Sequence, residues 1–256
     1  MCSSDLAPAP SSGASADSRR WHIGFVGYGE VGRILSEDLR AQGLAVSAFD
    51  IKLGTAAEAP LREHAARFGV VLADSAARLA ADVDFIISAV TASQAVAVAE
   101  ACAGTIRPQV LFLDFNSASP GAKQRAGAII DAAGGRYVEG AVMTSLPPYR
   151  IRVPLLLGGA HARALQSLLT PLGFDAKAVS DRLGVASATK MCRSVMIKGL
   201  EAMVIESFTT ARAYGVEREV LASLAETFPG IDWEQQGDYF FMRVIQHGRW
   251  RAEEMR

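Results

Sequence analysis

Residues Ile23–Asp50 read IGFVGYGEVGRILSEDLRAQGLAVSAFD, and the fold follows from them. Ile23–Val26 is a short apolar run, as a buried parallel strand requires. Gly27, Gly29 and Gly32 follow with GxGxxG spacing. Val31, Ile34, Leu35 and Leu39 then recur at helical intervals, and Gly43 stands where a helix C-cap belongs. A second apolar run, Val46–Phe49, leads into Asp50. Strand, glycine turn, helix, strand and acid in this order imply a dinucleotide site. Gly27 allows the tight turn, Gly29 lets a pyrophosphate approach the backbone, and Gly32 lets the helix lie close to the strand. Tyr28, Glu30 and Val31 complete the loop, and the N–H groups at the helix start face the phosphates. Asp50 is placed to accept from adenosine ribose hydroxyls. A glycine-rich turn that only packs a βα unit leaves that acid without a reason.

Outside this unit the bulk numbers mostly exclude. The chain has 256 residues, half of them hydrophobic, which is enough for a sizeable core in one large or two ordinary domains. With 26 basic and 27 acidic residues it carries no general field for nucleic acid or an anionic membrane. No apolar run reaches the roughly 18 residues of a membrane span. The three cysteines, Cys2, Cys102 and Cys192, fit neither a disulfide framework nor a zinc pattern, and no metal site is expected. Cys102 and Cys192 read as small core residues. The four histidines are scattered and fit no triad. A cytoplasmic chain is the expectation. Residues 1–20, rich in Ser, Ala and Pro and without an apolar core, read as a disordered tail and not a secretory signal. Gly248–Arg256 stops without a helix cap, so a truncated C-terminus is expected.

Strand and helix patterns alternate up to about residue 182. Helices are expected at Leu61–Phe68, from Ser93 as N-cap to Ala103, from Pro120 to Ala133 and at His161–Leu169. Strands are expected at Val70–Leu72, Phe85–Ser88, Val110–Leu113, Tyr137–Val142, Val153–Leu157 and Ala176–Val179. This is the pattern of an α/β Rossmann fold with a doubly wound, mainly parallel sheet. Ligands of such sheets bind beyond the carboxyl ends of the strands. That singles out the glycine loop, the segment Ala89-Val90-Thr91 on the cofactor side, and the loop after Asp114. From Leu183 to about Tyr214 a single long helix is expected, apolar nearly all round, with further helices near 217–228 and 233–254. The domains are thus 21–182 for the dinucleotide and an all-helical 183–256 for substrate and dimerisation. On the long helix, Lys190, Ser194, Lys198 and Glu201 recur at spacings that place them on one face. A lysine there, if desolvated, has a lowered pKa and serves as an acid or base near neutral pH.

The ordered set Gly27/Gly29/Gly32, Asp114-Phe115-Asn116-Ser117 and GVASATKMCRS at Gly184–Ser194 resembles the β-hydroxyacid dehydrogenase superfamily over about residues 21–200. That group includes 6-phosphogluconate dehydrogenase and 3-hydroxyisobutyrate dehydrogenase. The helical remainder looks like a branch with a short 6-phosphogluconate-dehydrogenase-like C-terminal domain. The resemblance implies an NAD(P)-dependent oxidoreductase acting on a small hydroxy acid, with Lys190 catalytic and Asn116 and Ser117 touching substrate. Two departures stand out. Ser194, expected to assist Lys190 in catalysis, replaces the family's usual Asn. Met143-Thr144-Ser145 replaces its Ser-Gly-Gly loop, so Thr144 and Ser145 offer hydroxyls to the substrate where glycines would be, and Lys198, further along the helix face, is expected to bind substrate too. Arg150 and Arg152 either hold an acid group or are solvated. Asp50 favours NAD, while Lys52 nearby leaves NADP open. A homodimer is expected, because the long helix is too apolar for a surface. An imine reductase on the same scaffold is the rival enzyme, against which Lys190 speaks; a dinucleotide-binding sensor without turnover is the rival outside catalysis.

Overall fold

The structure is a computed structural model that describes residues 17–253, with side chains through residue 245. The residues form two compact units, divided between Met191 and Cys192.

In the first unit, eight strands make one sheet. They are β1 (His22–Val26), β2 (Ala45–Phe49), β3 (Val71–Leu72), β4 (Phe85–Ser88), β5 (Leu111–Asp114), β6 (Arg136–Val142), β7 (Leu155–Gly158) and β8 (Ala176–Ser180), in the order β3-β2-β1-β4-β5-β6-β7-β8. All neighbours pair in parallel except β6 and β7. The parallel pairs are joined through helices: α1 (Glu30–Ala41), α2 (Ala59–Phe68), α3 (Ala76–Asp82), α4 (Ala95–Ala103), α5 (Pro120–Ala132) and, between β7 and β8, α6 (Ala162–Leu169). Between β6 and β7 lies only a loop with a short 3₁₀ turn at Arg150–Arg152, so the chain returns antiparallel.

The apolar runs are continuous because both sheet faces are covered. Ile23, Phe25, Phe85, Ile87, Leu111 and Leu113 enter one core, with Leu35, Leu39 and Leu165. Val26, Ile86 and Phe112, which alternate with them, enter the other, with Leu79, Ala99 and Ile130. Among the described residues no helix is long and apolar enough to cross a membrane.

Three local expectations change. Asp17–Arg20 is ordered structure: the Asp17 carboxylate accepts from the Arg19 N–H and caps a turn at Ser18–Arg20, and Ser18 and Trp21 are buried. Residues 1–16 of the expected tail, like the last three residues, lie outside the described ones. Ser93 does not cap α4. A tight turn at Ala92–Gln94 comes first, Gln94 takes the N-cap position, and the Ser93 hydroxyl lies 3.3 Å from that of Thr91. Cys102 is buried, and burial pushes its thiol up to about 12, but Cys192 is exposed.

The long helix, α7, runs over Val185–Tyr214, and α8 (Glu217–Thr227) and α9 (Trp233–Glu253) follow. In the second unit Val204, Phe208, Trp233 and Phe240 make a small core. Gly237 lets the Phe208 ring reach the α9 backbone; a Cβ there would stand 2.7 Å from it. The helix is not buried all round. Val195, Met196 and Met203 are 59%, 72% and 65% exposed, because three helices cannot enclose an apolar surface of that size.

The glycine turn shows which positions tolerate a side chain. A Cβ on Gly32 would meet the Gly27 carbonyl oxygen at 2.3 Å, whereas one on Gly29 would meet nothing within 4 Å. Gly32→Ala should therefore destabilise the fold by roughly 1–3 kcal/mol, the range for overpacking. Gly29→Ala should stay within about 1 kcal/mol of the parent, the scale of an N-cap change. Paired chemical denaturation curves check this; equal loss in both variants would contradict the turn geometry.

Candidate functional site

The strand order reverses between β1 and β4, where the chain leaves β1 to one side and β4 to the other. This is the switch point at which open α/β sheets bind ligands. The Gly27 N–H donates to the Phe49 carbonyl, the Ala89 N–H to Val26 and the Phe115 N–H to Ser88, so the loops after β1, β4 and β5 peel off side by side. Gly27 has φ +97°, and a Cβ there would stand 2.3 Å from the Ala89 carbonyl oxygen. Gly29 is the N-cap of α1, with no side chain capping the helix. Open space at Gly29 and an uncapped helix start form a cradle that suits a pyrophosphate. Val31 and Ala89 are half-buried beside it, and Glu30 and Thr91 are exposed.

Asp50 closes the cradle in a way periodicity does not reveal. It is buried, and its Oδ2 accepts from the Tyr28 N–H at 2.8 Å and its Oδ1 from the Lys52 N–H at 3.0 Å. The acid therefore braces the turn itself and retains lone pairs for a further donor. Beyond it, Leu53, Gly54, Arg62, Leu72, Ala73 and Asp74 line a cavity of about 230 Å³ at the carboxyl ends of β2 and β3. Tyr28 points away from the cradle. Its hydroxyl is 2.8 Å from His64 Nδ1, and His64 Nε2 is 2.9 Å from Glu37 Oε1. Burial pushes the Glu37 carboxyl up, but the hydrogen bonds from His64 and Arg150 outweigh it and hold the group below its ordinary range.

The loop after β5 grows from a buried hub. Asp114 is fully buried, and its Oδ1 accepts from Lys123 Nζ at 2.8 Å and from the Asn116 N–H at 3.0 Å. Its Oδ2 accepts from the Tyr137 hydroxyl at 2.6 Å. Lys123 also donates to the carbonyls of Asp114 and Gly140, so all three of its N–H bonds are used. Burial pulls the Lys123 pKa down against the opposing charges of Asp114 and Glu139. The Tyr137 phenol is pushed up by burial and then by the Asp114 charge.

Asn116 is buried, its Nδ2 donating to Ser88 Oγ at 2.9 Å and its Oδ1 accepting from the Val90 N–H. Its amide ties the loop after β5 to the loop after β4 and keeps one Nδ2 hydrogen and one Oδ1 lone pair beyond those two bonds. Ser117 is exposed, and Lys190 Nζ donates to its Oγ at 2.6 Å. The pair links residues 73 apart in sequence. Thr144 and Ser145 are exposed in the loop after β6. Ser194 and Lys198 lie on α7 beyond residue 191, in the second unit, both half-buried. Arg150, whose side chain is partly exposed, is engaged by α1: its Nε donates to Asp38 Oδ1 at 2.8 Å and its Nη2 to Glu37 Oε2 at 2.7 Å.

Sequence reading missed Lys123, Tyr137 and Glu139. The signal was available for Glu139, an acid inside the apolar strand Tyr137–Val142, since a buried charge needs a partner.

Known proteins match this arrangement. Residues 22–146 match the NAD binding domain of 6-phosphogluconate dehydrogenase, and residues 211–256 match a domain of unknown function, DUF1932. A conserved hypothetical protein from Sinorhizobium meliloti 1021 has a similar solved structure, with TM-score 0.79 and 38% identity over 91% of this chain and 78% of that one. So does a conserved protein of unknown function described as structurally similar to 3-hydroxyacid dehydrogenases, with TM-score 0.75 and 28% identity over 91% of this chain and 86% of that one. The mitochondrial 3-hydroxyisobutyrate dehydrogenase of Drosophila melanogaster is 24% identical over 84% of this chain and 66% of its own length. With its dinucleotide cradle at the switch point and its helical region after the sheet, the chain belongs to the β-hydroxyacid dehydrogenase superfamily.

Proposed function

We propose that this protein is an NAD(P)-dependent oxidoreductase of small hydroxy acids, with Lys190 as the general acid/base. The observation that carries the reading is the 2.6 Å contact between Lys190 Nζ and Ser117 Oγ, which sets an amine beside a hydroxyl at the carboxyl end of β5. The nicotinamide supplies hydride transfer to or from the carbinol carbon. In the oxidative direction neutral Lys190 takes the hydroxyl proton, and in the reductive direction its ammonium returns one. Ser117 orients the reacting oxygen. Asn116 holds the loop that carries Ser117, and the Thr144 and Ser145 hydroxyls are proposed to meet the acid end of the substrate.

Lys190→Ala should leave dinucleotide affinity nearly intact, because the cradle at 27–32 does not include it. Turnover should fall by roughly 10²–10⁴, the usual contribution of a positioned proton-transfer group. Lys190→Arg should not restore it, because a guanidinium stays charged and cannot act as a base. Steady-state kinetics over a panel of hydroxy acids, with cofactor titration on the same variants, reads both. Normal turnover in Lys190→Ala would remove the mechanism.

NAD is the proposed cofactor. Asp50 keeps lone pairs free after bracing the turn, and these suit ribose hydroxyls and repel a 2′-phosphate. NADH should bind more tightly than NADPH in competitive fluorescence titration, and the reverse order would refute the assignment.

A homodimer is proposed as the working form. Exposed Val195, Met196 and Met203 on α7, and Tyr239, Met242 and Ile245 on α9, support it. Sedimentation at micromolar concentration should give twice the chain mass, and a monomer would refute this.

A further inference from the structure

We propose that Glu139 is a positioning residue: its carboxylate seats the first turn of α7 and so fixes where the Lys190 amine stands. The inference deepens the reading above and rests on it for the role of Lys190.

Glu139 lies in the middle of β6 and is fully buried. Its Oε1 accepts from the Ala186 N–H at 2.8 Å and its Oε2 from the Ser187 hydroxyl at 2.9 Å. Both donors sit in the opening turn of α7, directly after Gly184, whose φ of +94° turns the chain into the helix. Room for the carboxylate comes from across the sheet. Glu139 pairs with Gly158 of β7, and a Cβ at Gly158 would stand 2.4 Å from Glu139 Oε1.

Charge balance gives the arrangement its strength. The buried hub holds one cation, Lys123, and two carboxylates, Asp114 and Glu139. Asp114 is met by Lys123 directly, at 2.8 Å. Glu139 is met by the start of a 30-residue helix, whose aligned peptide dipoles amount to roughly half a positive charge at that end. The N-terminus of α7 thus has an electrostatic reason to sit over Glu139.

Lys190 follows Ala186 by four residues and Ser187 by three, so it stands one turn further along the same helix face. The acceptor of its amine, Ser117, stands on the loop rooted at Asp114. Each side of the Lys190–Ser117 contact therefore rests on a buried carboxylate. Releasing the Glu139 side lets the first turn of α7 shift against the loop, and a misplacement of about 1 Å costs up to roughly a hundredfold in rate.

The test uses the full chain with Glu139→Gln, Ser187→Ala and Lys190→Ala, singly and with Glu139→Gln and Lys190→Ala combined. Glu139→Gln should speed hydrogen exchange of the 184–190 amides by about tenfold or more and leave those of 22–50 unchanged. It should also change the rate of Lys190 acylation, read by peptide mass spectrometry, by about fivefold while Lys52 keeps its rate. Turnover should fall about tenfold or more, with dinucleotide affinity within about twofold. In the Lys190→Ala background the same substitution should cost less than about twofold, because the residue it acts through is gone. Ser187→Ala should move every reading in the same direction by less, and it carries the test if Glu139→Gln does not fold.

Parent-like exchange at 184–190 and parent-like Lys190 acylation would overturn the proposal. So would a loss of turnover that is equally large without Lys190. If the parent turns over no hydroxy acid, the functional reading fails, and the exchange and acylation arms still decide whether Glu139 positions Lys190.

Discussion

The buried ion pair between Lys123 and Asp114 is the interaction on which the carboxyl end of the sheet depends. Neither side chain has any exposed surface. Removing one partner of such a pair leaves an uncompensated charge, at a cost of about 3–5 kcal/mol. Asp114 spends its lone pairs on Lys123, Tyr137 and the Asn116 backbone, joining α5, β6 and its own loop at one carboxylate. Lys123 in turn reaches the Gly140 carbonyl, one residue from Glu139, and Glu139 takes the start of α7. A run of polar contacts thus passes from β5 through the interior to the helix that carries Lys190. An apolar core could be as stable, but it would hold these backbone segments in less fixed register.

The fold was legible because its strongest signals are local. The βαβ unit at 23–50 is read from neighbours in sequence, and its glycines are required by contacts within one turn. The strands were legible as apolar runs, although their alternation between two cores was not, since both faces are buried and the sequence shows no alternation. The polar interior was largely illegible. Lys123 sits in PGAKQRAGAIIDA, where a lysine reads as solvated, and only the fold brings Asp114 and Gly140 beneath it. Glu139 finds its donors 47 and 48 residues away. Asp50 was read for the role its spacing suggests, while its bond to the Tyr28 N–H depends on a turn conformation that spacing does not encode. The polar stripe of α7 singled out Lys190, and the fold then brings its amine to Ser117 in the loop after β5, which spacing does not encode. The apolar remainder of that helix overstated how buried it is, because periodicity reports composition around a helix and not how many neighbours are there to cover it.

Arg150 shows how the two sides of the first unit are tied together. Sequence offered it as a ligand-binding or solvated group, and it is instead a brace. It stands at φ +52°, a backbone conformation in which only a few per cent of non-glycine residues are found. Asp38 and Glu37 of α1 hold it there through Nε and Nη2, and Asp38 also accepts from the Ile151 N–H. At the other end of the same loop, the Met143 N–H donates to the Pro154 carbonyl, and Leu146 is buried. Thr144 and Ser145, which the sequence resemblance set against glycines, therefore sit on a backbone pinned at both ends. One of those pins is the helix that begins at the dinucleotide cradle. Glu37 carries the connection further, since it also pairs with His64, which pairs with Tyr28 of the glycine turn. Under the proposed function, two hydroxyls on a pinned backbone would set the distance at which a substrate is met, where two glycines would let it approach the backbone closely. The loop after β6 thus presents two exposed hydroxyls on a backbone whose ends are fixed by α1 and by its own strands.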